Sequence, residues 1–353
     1  MTDEMIQLSR PNRRRKWKAT VHNMVEKLGV MTLFQKSGHF LGEVLYVLAY
    51  HRVDEFAHRP YLEPTLISAE PAQFENQMRL IAQRYHPVSA EEVLAALHGH
   101  RRLPKDAVLV TVDDGYRDFK EVLYPITQRY NIRPVLFVPT AFVGQGVFWW
   151  DQLYIAICNC PHQEISTQFG AFSLRTPEEK QQALERLRQA VKTLPFDQGM
   201  QFVASLYAQF APRDFDPTPC TLNWDELREL SAAGATIAAH THHHVLLTRI
   251  PFEQACQEIR TSQELIRREI GQALPIFAFP DGKPEFISAE LINFLRQEGI
   301  EFAVSTIEGS ATLSAGNALC FPRLGLWPNH SLAAFHFHLT PVYRFFKREH
   351  SVY

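Results

Sequence analysis

Short apolar runs alternating with amphipathic helical patterns predict a parallel α/β fold, and 353 residues suit one barrel-sized domain. Three observations carry that expectation. Residues 44–50, 108–112 and 134–139 are continuous apolar stretches of strand length, as parallel strands buried on both faces require. Helical patterns separate them. Polar groups able to do chemistry stand where two of the runs end, at His51 and at Asp113-Asp114-Gly115.

The elements follow in order. In the polar, basic N-terminal stretch, Trp17, Val21, Met24, Val25 and Leu28 fall on one helical face. Arg13, Arg14, Arg15, Lys16 and Lys18 cluster at its start. Such a helix either lies on an anionic membrane surface or packs its apolar face on the barrel. The run at 44–50 is expected as a strand that delivers His51. Ser68-Ala69-Glu70-Pro71 reads as the start of a helix continuing to Tyr85, and Ser89-Ala90-Glu91-Glu92 as a capped start of another reaching about Leu97. A strand closing at Val112, a helix through Val122 to Tyr130 and a strand between Pro134 and Pro139 come next. Residues from about 151 to 220 break the rhythm with charged helical patterns and little strand signal, and are expected as a helical insertion. The alternation then resumes: helix 224–233, strand 236–239, helix 251–270, strand 276–279, helix 288–297 and strand 302–305. The domain reading is a basic segment with an amphipathic helix (1–43), a barrel (44–326) carrying the insertion, and a C-terminal extension (327–353).

Composition narrows the class. The chain is 46% hydrophobic and 21% charged with a formal net charge of −2, so no global electrostatic drive toward nucleic acid exists. No window reaches the roughly 20 apolar residues of a membrane span. The basic run lacks a following apolar core and cleavage site, so a cytoplasmic location is expected, with peripheral contact to the inner membrane face as an option. Cys158, Cys160, Cys220, Cys256 and Cys320 are odd in number and lack zinc-finger or CxxC spacing, which suits a reducing compartment.

The chemistry lies in two motifs. Asp-Asp-Gly after a strand is, by itself, also ordinary turn chemistry. Downstream, His240-Thr241-His242-His243-His244 follows the apolar run Ala235-Thr236-Ile237-Ala238-Ala239. Two imidazoles at i and i+4 with one carboxylate can hold a zinc-type ion and leave a coordination position open. They would sit on successive turns if that loop enters a helix. The remaining carboxylate can then act as a general base. Both motifs end strands on the face where α/β barrels build active sites. A metal-dependent hydrolase is expected.

Thr111-Val112-Asp113-Asp114-Gly115 resembles the first motif of the polysaccharide deacetylases (carbohydrate esterase family 4), and His240-Thr241-His242-His243-His244 resembles their His-[Ser/Thr]-x-x-His motif. Phe277-Ala278-Phe279-Pro280-Asp281-Gly282 is similar to the third motif. Tyr50-His51-Arg52-Val53 and Phe148-Trp149-Trp150-Asp151 resemble the branch of poly-N-acetylglucosamine deacetylases. The resemblance covers about residues 44–325, less the insertion. It implies a distorted (β/α) barrel in which Asp114, His240 and His244 bind a divalent metal. Zinc is the default by donor type, with cobalt, nickel or manganese as alternatives. It further implies Asp113 as catalytic base and His51, in a permuted motif order, as acid for the leaving amine. A late Leu-x-x-His motif has no clean copy here, and His330, His336 and His338 lack its context. Where many members carry an arginine that orients the catalytic aspartate, this chain has Ala278; Arg323 is expected to approach from the last strand instead. His242 and His243 have no implied role. Trp149, Trp150 and Trp224 suit either a sugar cleft or core packing. The implied activity is removal of an N-acetyl group from a saccharide, such as a lipid-linked or cell-envelope precursor. O-deacetylation, deformylation, or carbohydrate binding without turnover are the alternatives.

Overall fold

Seven parallel strands close on themselves in chain order in the computed structural model, which describes residues 44–216, 220–328, 330–340 and 343. They are β1 (Leu45–Tyr50), β2 (Ala107–Asp113), β3 (Val135–Val138), β4 (Thr236–Ala239), β5 (Ile276–Ala278), β6 (Phe302–Glu308) and β7 (Phe321–Gly325). β1 closes the ring, pairing with β2 from Leu45↔Ala107 to Tyr50↔Val112 and with β7 at Leu48↔Leu324 and Ala49↔Gly325. A register shift between β6 and β7 makes the barrel irregular.

The two faces of each strand explain the uninterrupted apolar runs. Leu45 and Val47 of β1, Leu109 of β2, Phe137 of β3 and Ala238 of β4 share one buried cluster inside the barrel. Their strand neighbours Tyr46, Leu48, Val110, Leu136 and Ala239 join a second cluster beneath the surrounding helices. Strands with both faces covered cannot alternate apolar with polar residues. The same period of two carries Asp113, His240 and Arg323 onto the interior side near the strand ends.

Helices α1 (Pro71–Arg84) and α2 (Ala90–Leu97) connect β1 to β2. α1 presents Phe74, Met78 and Ile81 to the barrel, the i, i+4, i+7 spacing of one helix face. α2 opens on the anticipated capping box between Ser89 and Glu92. Ser68 and Ala69, expected in the helix start, instead belong to a short strand (Ile67–Ala69) paired with Arg52–Val53, and Pro71 takes the first helical turn. α3 (Tyr124–Arg129) follows β2. On the other half, α7 (Trp224–Ala232), α8 (Phe252–Ile270) and α9 (Ala289–Gln297) alternate with strands β4 to β6.

The insertion consists of α4 (Trp149–Asn159), a hairpin of Glu164–Thr167 with Gly170–Ser173, α5 (Pro177–Thr193) and α6 (Phe196–Phe210). It has its own apolar core, including Leu153, Ile157, Leu184, Leu187 and Val203. The hairpin departs from the purely helical expectation. Its strands bury only Ile165 and Phe172, too few alternations to register as a pattern.

After the barrel, α10 (Leu332–His338) lies against α1, and the Tyr85 hydroxyl donates to the Leu339 carbonyl at 3.2 Å. The expected N-terminal amphipathic helix and its basic cluster lie outside the described residues, as does most of the stretch after Thr340. No helix among the described residues is long and apolar enough to cross a membrane. The five cysteines are free.

Candidate metal centre and active-site cleft

The C-terminal ends of the strands bring the two motifs together. Asp113 closes β2, and Arg323 reaches it from β7 with two hydrogen bonds, Nη1 to Oδ1 at 2.8 Å and Nη2 to Oδ2 at 2.7 Å. The guanidinium is fixed further by Nε donating to the Ser305 carbonyl (2.7 Å) and Nη1 to the Thr111 hydroxyl (3.1 Å). Every part of this pair is buried. Burial opposes ionisation of Asp113, but the charge of Arg323 overcomes it. With hydrogen bonding and with His240 and His51 adding, the carboxyl is held well below the usual range. Arg323 thus reaches Asp113 from the last strand, the position anticipated for it. Ala278 is fully buried inside the barrel.

Asp114 turns the other way. Its φ of 78° and that of Gly115 (77°) take the chain out of the strand. At Gly115 a Cβ would also stand 3.0 Å from Val138 Cγ1. The turn aims Asp114 Oδ1 at two imidazoles, 3.8 Å from His240 Nε2 and 3.4 Å from His244 Nε2. That oxygen is buried and has no hydrogen-bond partner among the described residues. Burial, then the negative charges of Asp113 and Asp151, pushes the Asp114 carboxyl well above its ordinary value. One donor atom each from Asp114, His240 and His244 lies within 4.8 Å of the others. An orphaned carboxylate oxygen facing two ring nitrogens fits a divalent cation, which would satisfy all three.

The histidines do not sit on a helix. The loop after β4 holds Thr241 and His244 in the left-handed region, with φ of 62° and 54°, and this curl replaces the helical turn that the i, i+4 spacing suggested. His240 donates from Nδ1 to the Ala278 carbonyl at 2.8 Å, which leaves Nε2 free of its proton and turned to the site. Burial lowers His240 to about 4 and depresses His244 well below the ordinary imidazole value, so both rings are neutral donors.

Support for the loop comes in part from Glu258, Thr140 and Tyr116, which sequence reading did not single out. Glu258 of α8 accepts the backbone N–H groups of His242 (3.0 Å) and His243 (2.7 Å) and meets the His243 ring at 2.7 Å. His242 meets the Thr140 hydroxyl at 2.8 Å. These two histidines therefore anchor the curl. His244 leans on Trp150, ring centroids 4.8 Å apart. Trp150 Nε1 donates to the Tyr116 hydroxyl (2.7 Å), which donates to Asp151 (2.7 Å). Asp151 is fully buried and also accepts the Glu63 N–H, and burial lifts its carboxyl to about 6.

His51 follows β1 with Nε2 3.9 Å from Asp113 Oδ2 and about a third of its side chain exposed. Burial at the barrel rim lowers its pKa, while Asp113 draws it upward. His51, Asp113, Asp114, His240 and His244 all line one cavity of about 560 Å³. Trp149 and Trp150 line it too. Trp224 does not; it packs against the barrel-side core. Nor do His330, His336 or His338 reach it. Asp281, from the third motif, lines the cavity and takes ion pairs from Lys192 of the insertion (2.7 Å) and from Lys283 (3.5 Å).

Comparison with known proteins follows the same residues. A family model described as polysaccharide deacetylase matches residues 100–303. Among solved structures, the Streptococcus pyogenes deacetylase PplD in complex with acetate is similar at a TM-score of 0.57 and 18% identity, covering 84% of this chain and 99% of that one. IcaB from Ammonifex degensii is similar at 0.52 and 17%, covering 84% and 97%. A de-N-acetylase from Aggregatibacter actinomycetemcomitans gives 0.52 and 17%, covering 82% and 97%. No curated protein matches.

Proposed function

Because the chain belongs to the polysaccharide deacetylase family, hydrolases that act on the amide bond of N-acetyl groups, we propose that it removes acetyl from an N-acetylated saccharide bound over Asp114, His240 and His244. The observation that carries this reading is the trio of neutralisable donors within 4.8 Å, beside an Asp113 kept ionised by Arg323. In this reading the trio holds one divalent ion. Zinc suits two imidazoles and a carboxylate, and cobalt, nickel or manganese can take the same donors. Such an ion, when bound, acidifies water and polarises an amide carbonyl.

The chain's own groups do the rest. Asp113 is in acceptor form across the physiological range and takes the proton of the attacking water; its cost is weak basicity. Arg323 fixes both carboxylate oxygens, so the acceptor lone pairs keep one direction during turnover. His51, across from Asp113, gives a proton to the departing amine; burial opposes its protonated form and the Asp113 charge favours it. Asp113 then holds the proton that His51 has lost, and its return to His51, directly or through solvent, restores both groups for the next turnover.

The test uses the full chain, stripped by chelation and reloaded with zinc, cobalt, nickel or manganese in turn. Acetate release from N-acetylglucosamine oligomers is expected with at least one metal and not from the stripped protein. Absence of acetate under every metal, from these oligomers and equally from N-acetylglucosamine carrying a phosphate or a hydrocarbon chain, would overturn the reading.

A further inference from the structure

Besides Trp149, Trp150 and Trp327, which suit a sugar, the cleft carries a second apolar wall. The insertion contributes Leu194, Phe196 and Met200 to its lining, and the loop beyond His244 contributes Leu246 and Ile250. All five are half-buried, and Phe196 meets the His243 ring at 5.9 Å, so this wall is continuous with the histidine loop. Leucine, isoleucine and methionine side chains have no flat face to stack on a pyranose and no donor for its hydroxyls. Half-exposed in a cavity, they gain most by covering hydrocarbon.

Charge in the same cleft balances in number, with Glu63, Asp113, Asp114, Asp281 and Glu308 set against Arg188, Lys192, Arg249, Lys283 and Arg323, but it is not paired one to one. Arg323 cancels Asp113, and Arg188 cancels Glu63 at 3.1 Å. Lys192 and Lys283, however, share the single carboxylate of Asp281. Arg249 lies over the Phe286 ring at 5.8 Å and makes no ion pair among the described residues. Glu308 is turned to the Tyr343 hydroxyl at 2.8 Å. Lys192, Lys283 and Arg249 are therefore three cavity-lining cations for which Asp281 is the one ion-pair partner among the described residues, and they share the cleft with an apolar wall.

Resting on the deacetylase reading above, we propose that the saccharide reaches this site joined through a phosphate to a hydrocarbon chain. The chain lies along Leu194, Phe196, Met200, Leu246 and Ile250, continuous with the catalytic cavity. The phosphate faces Lys192, Lys283 and Arg249. An apolar wall and a row of cations in one cleft complement an anionic amphiphile; a free neutral polymer uses the cations not at all.

Four probes separate the terms: N-acetylglucosamine joined to farnesyl phosphate, the same sugar joined to methyl phosphate, a farnesyl glycoside without phosphate, and an N-acetylglucosamine tetramer. The metal-loaded full chain is expected to favour the farnesyl phosphate compound over the methyl phosphate one by at least tenfold in kcat/KM. It should favour it over the phosphate-free glycoside by at least fivefold. Phe196→Ser with Met200→Ser should shrink the first ratio toward one, and Lys283→Ala with Arg249→Ala the second. Turnover of the tetramer or methyl phosphate compound with no gain from the tail or phosphate would overturn this inference and leave the deacetylase reading standing. Acetate from none of the four would overturn both.

Discussion

Arg323 holds both carboxylate oxygens of Asp113 across β1, the strand that lies between theirs in the barrel. The pair is buried at both ends, so its members depend on each other for more than geometry. Removing one partner strands a charge in a low-dielectric interior, which typically costs about 3–5 kcal/mol. Arg323→Ala should lower the free energy of unfolding by that order in urea titration, and turnover should fall by roughly 10²-fold or more. Asp113→Asn keeps the shape and removes the proton acceptor. It should retain a bound metal while kcat drops by about 10²–10⁴. Loss of metal with activity in Asp113→Asn would move that carboxylate into the ion's coordination sphere.

Metal binding should follow the other aspartate. His240→Ala removes a ring whose Nε2 faces Asp114, and calorimetric titration with zinc should show affinity reduced by several orders of magnitude. Full stoichiometric binding at wild-type affinity would refute the trio. Tyr116→Phe, which breaks the contact between Trp150 and Asp151 without touching a donor, should give a weaker loss, on the order of 10-fold.

His51 separates amide from ester chemistry. His51→Gln should depress hydrolysis of an N-acetyl substrate far more than that of an activated acetate ester, whose leaving group departs without a proton. Equal losses on the two would assign His51 to binding or structure.

Acid sensitivity should arise far from the cleft as well as at its buried histidines. His336 of α10 is fully buried against Tyr85, and neither ring nitrogen has a partner among the described residues. Burial, with Arg84 adding, lowers it to about 4. The unfolded chain takes up this proton near pH 6.5 and the folded chain only near 4, so stability is full above 6.5 and falls as pH drops through that window. The slope is at most about 1.4 kcal/mol per pH unit. His336→Phe should flatten this part of the stability profile measured by urea unfolding from pH 7 to 4.

The barrel was legible because its strands are buried on both faces, which writes them as unbroken runs such as 44–50. Period two then carries Asp113 and Arg323 to the interior, and the arginine expected from β7 arrives there. The five candidate site residues share one cavity because period two carries Asp113 and His240 inward while left-handed turns after the strands bring in Asp114 and His244 beside His51. What stayed hidden depends on backbone curl and on the insertion's position. Thr241 and His244 adopt left-handed φ without being glycine, so nothing in their identity distinguished a loop from a helical turn. Lys192, Glu258 and Tyr116 meet the site only because distant elements fold over it. Spacing along the chain carries no trace of such encounters.

Asp114 has a further consequence. It occupies a left-handed conformation that L side chains rarely take, and its Oδ1 is buried and orphaned. Both features destabilise a fold, the first by about 1 kcal/mol or more. Glycine would relieve the two together. A chain selected only for thermal endurance would drift toward Asp114→Gly, and that variant, stripped of metal, should melt higher than the native sequence. Retention of aspartate at this turn therefore sets durability against chemistry at a single position.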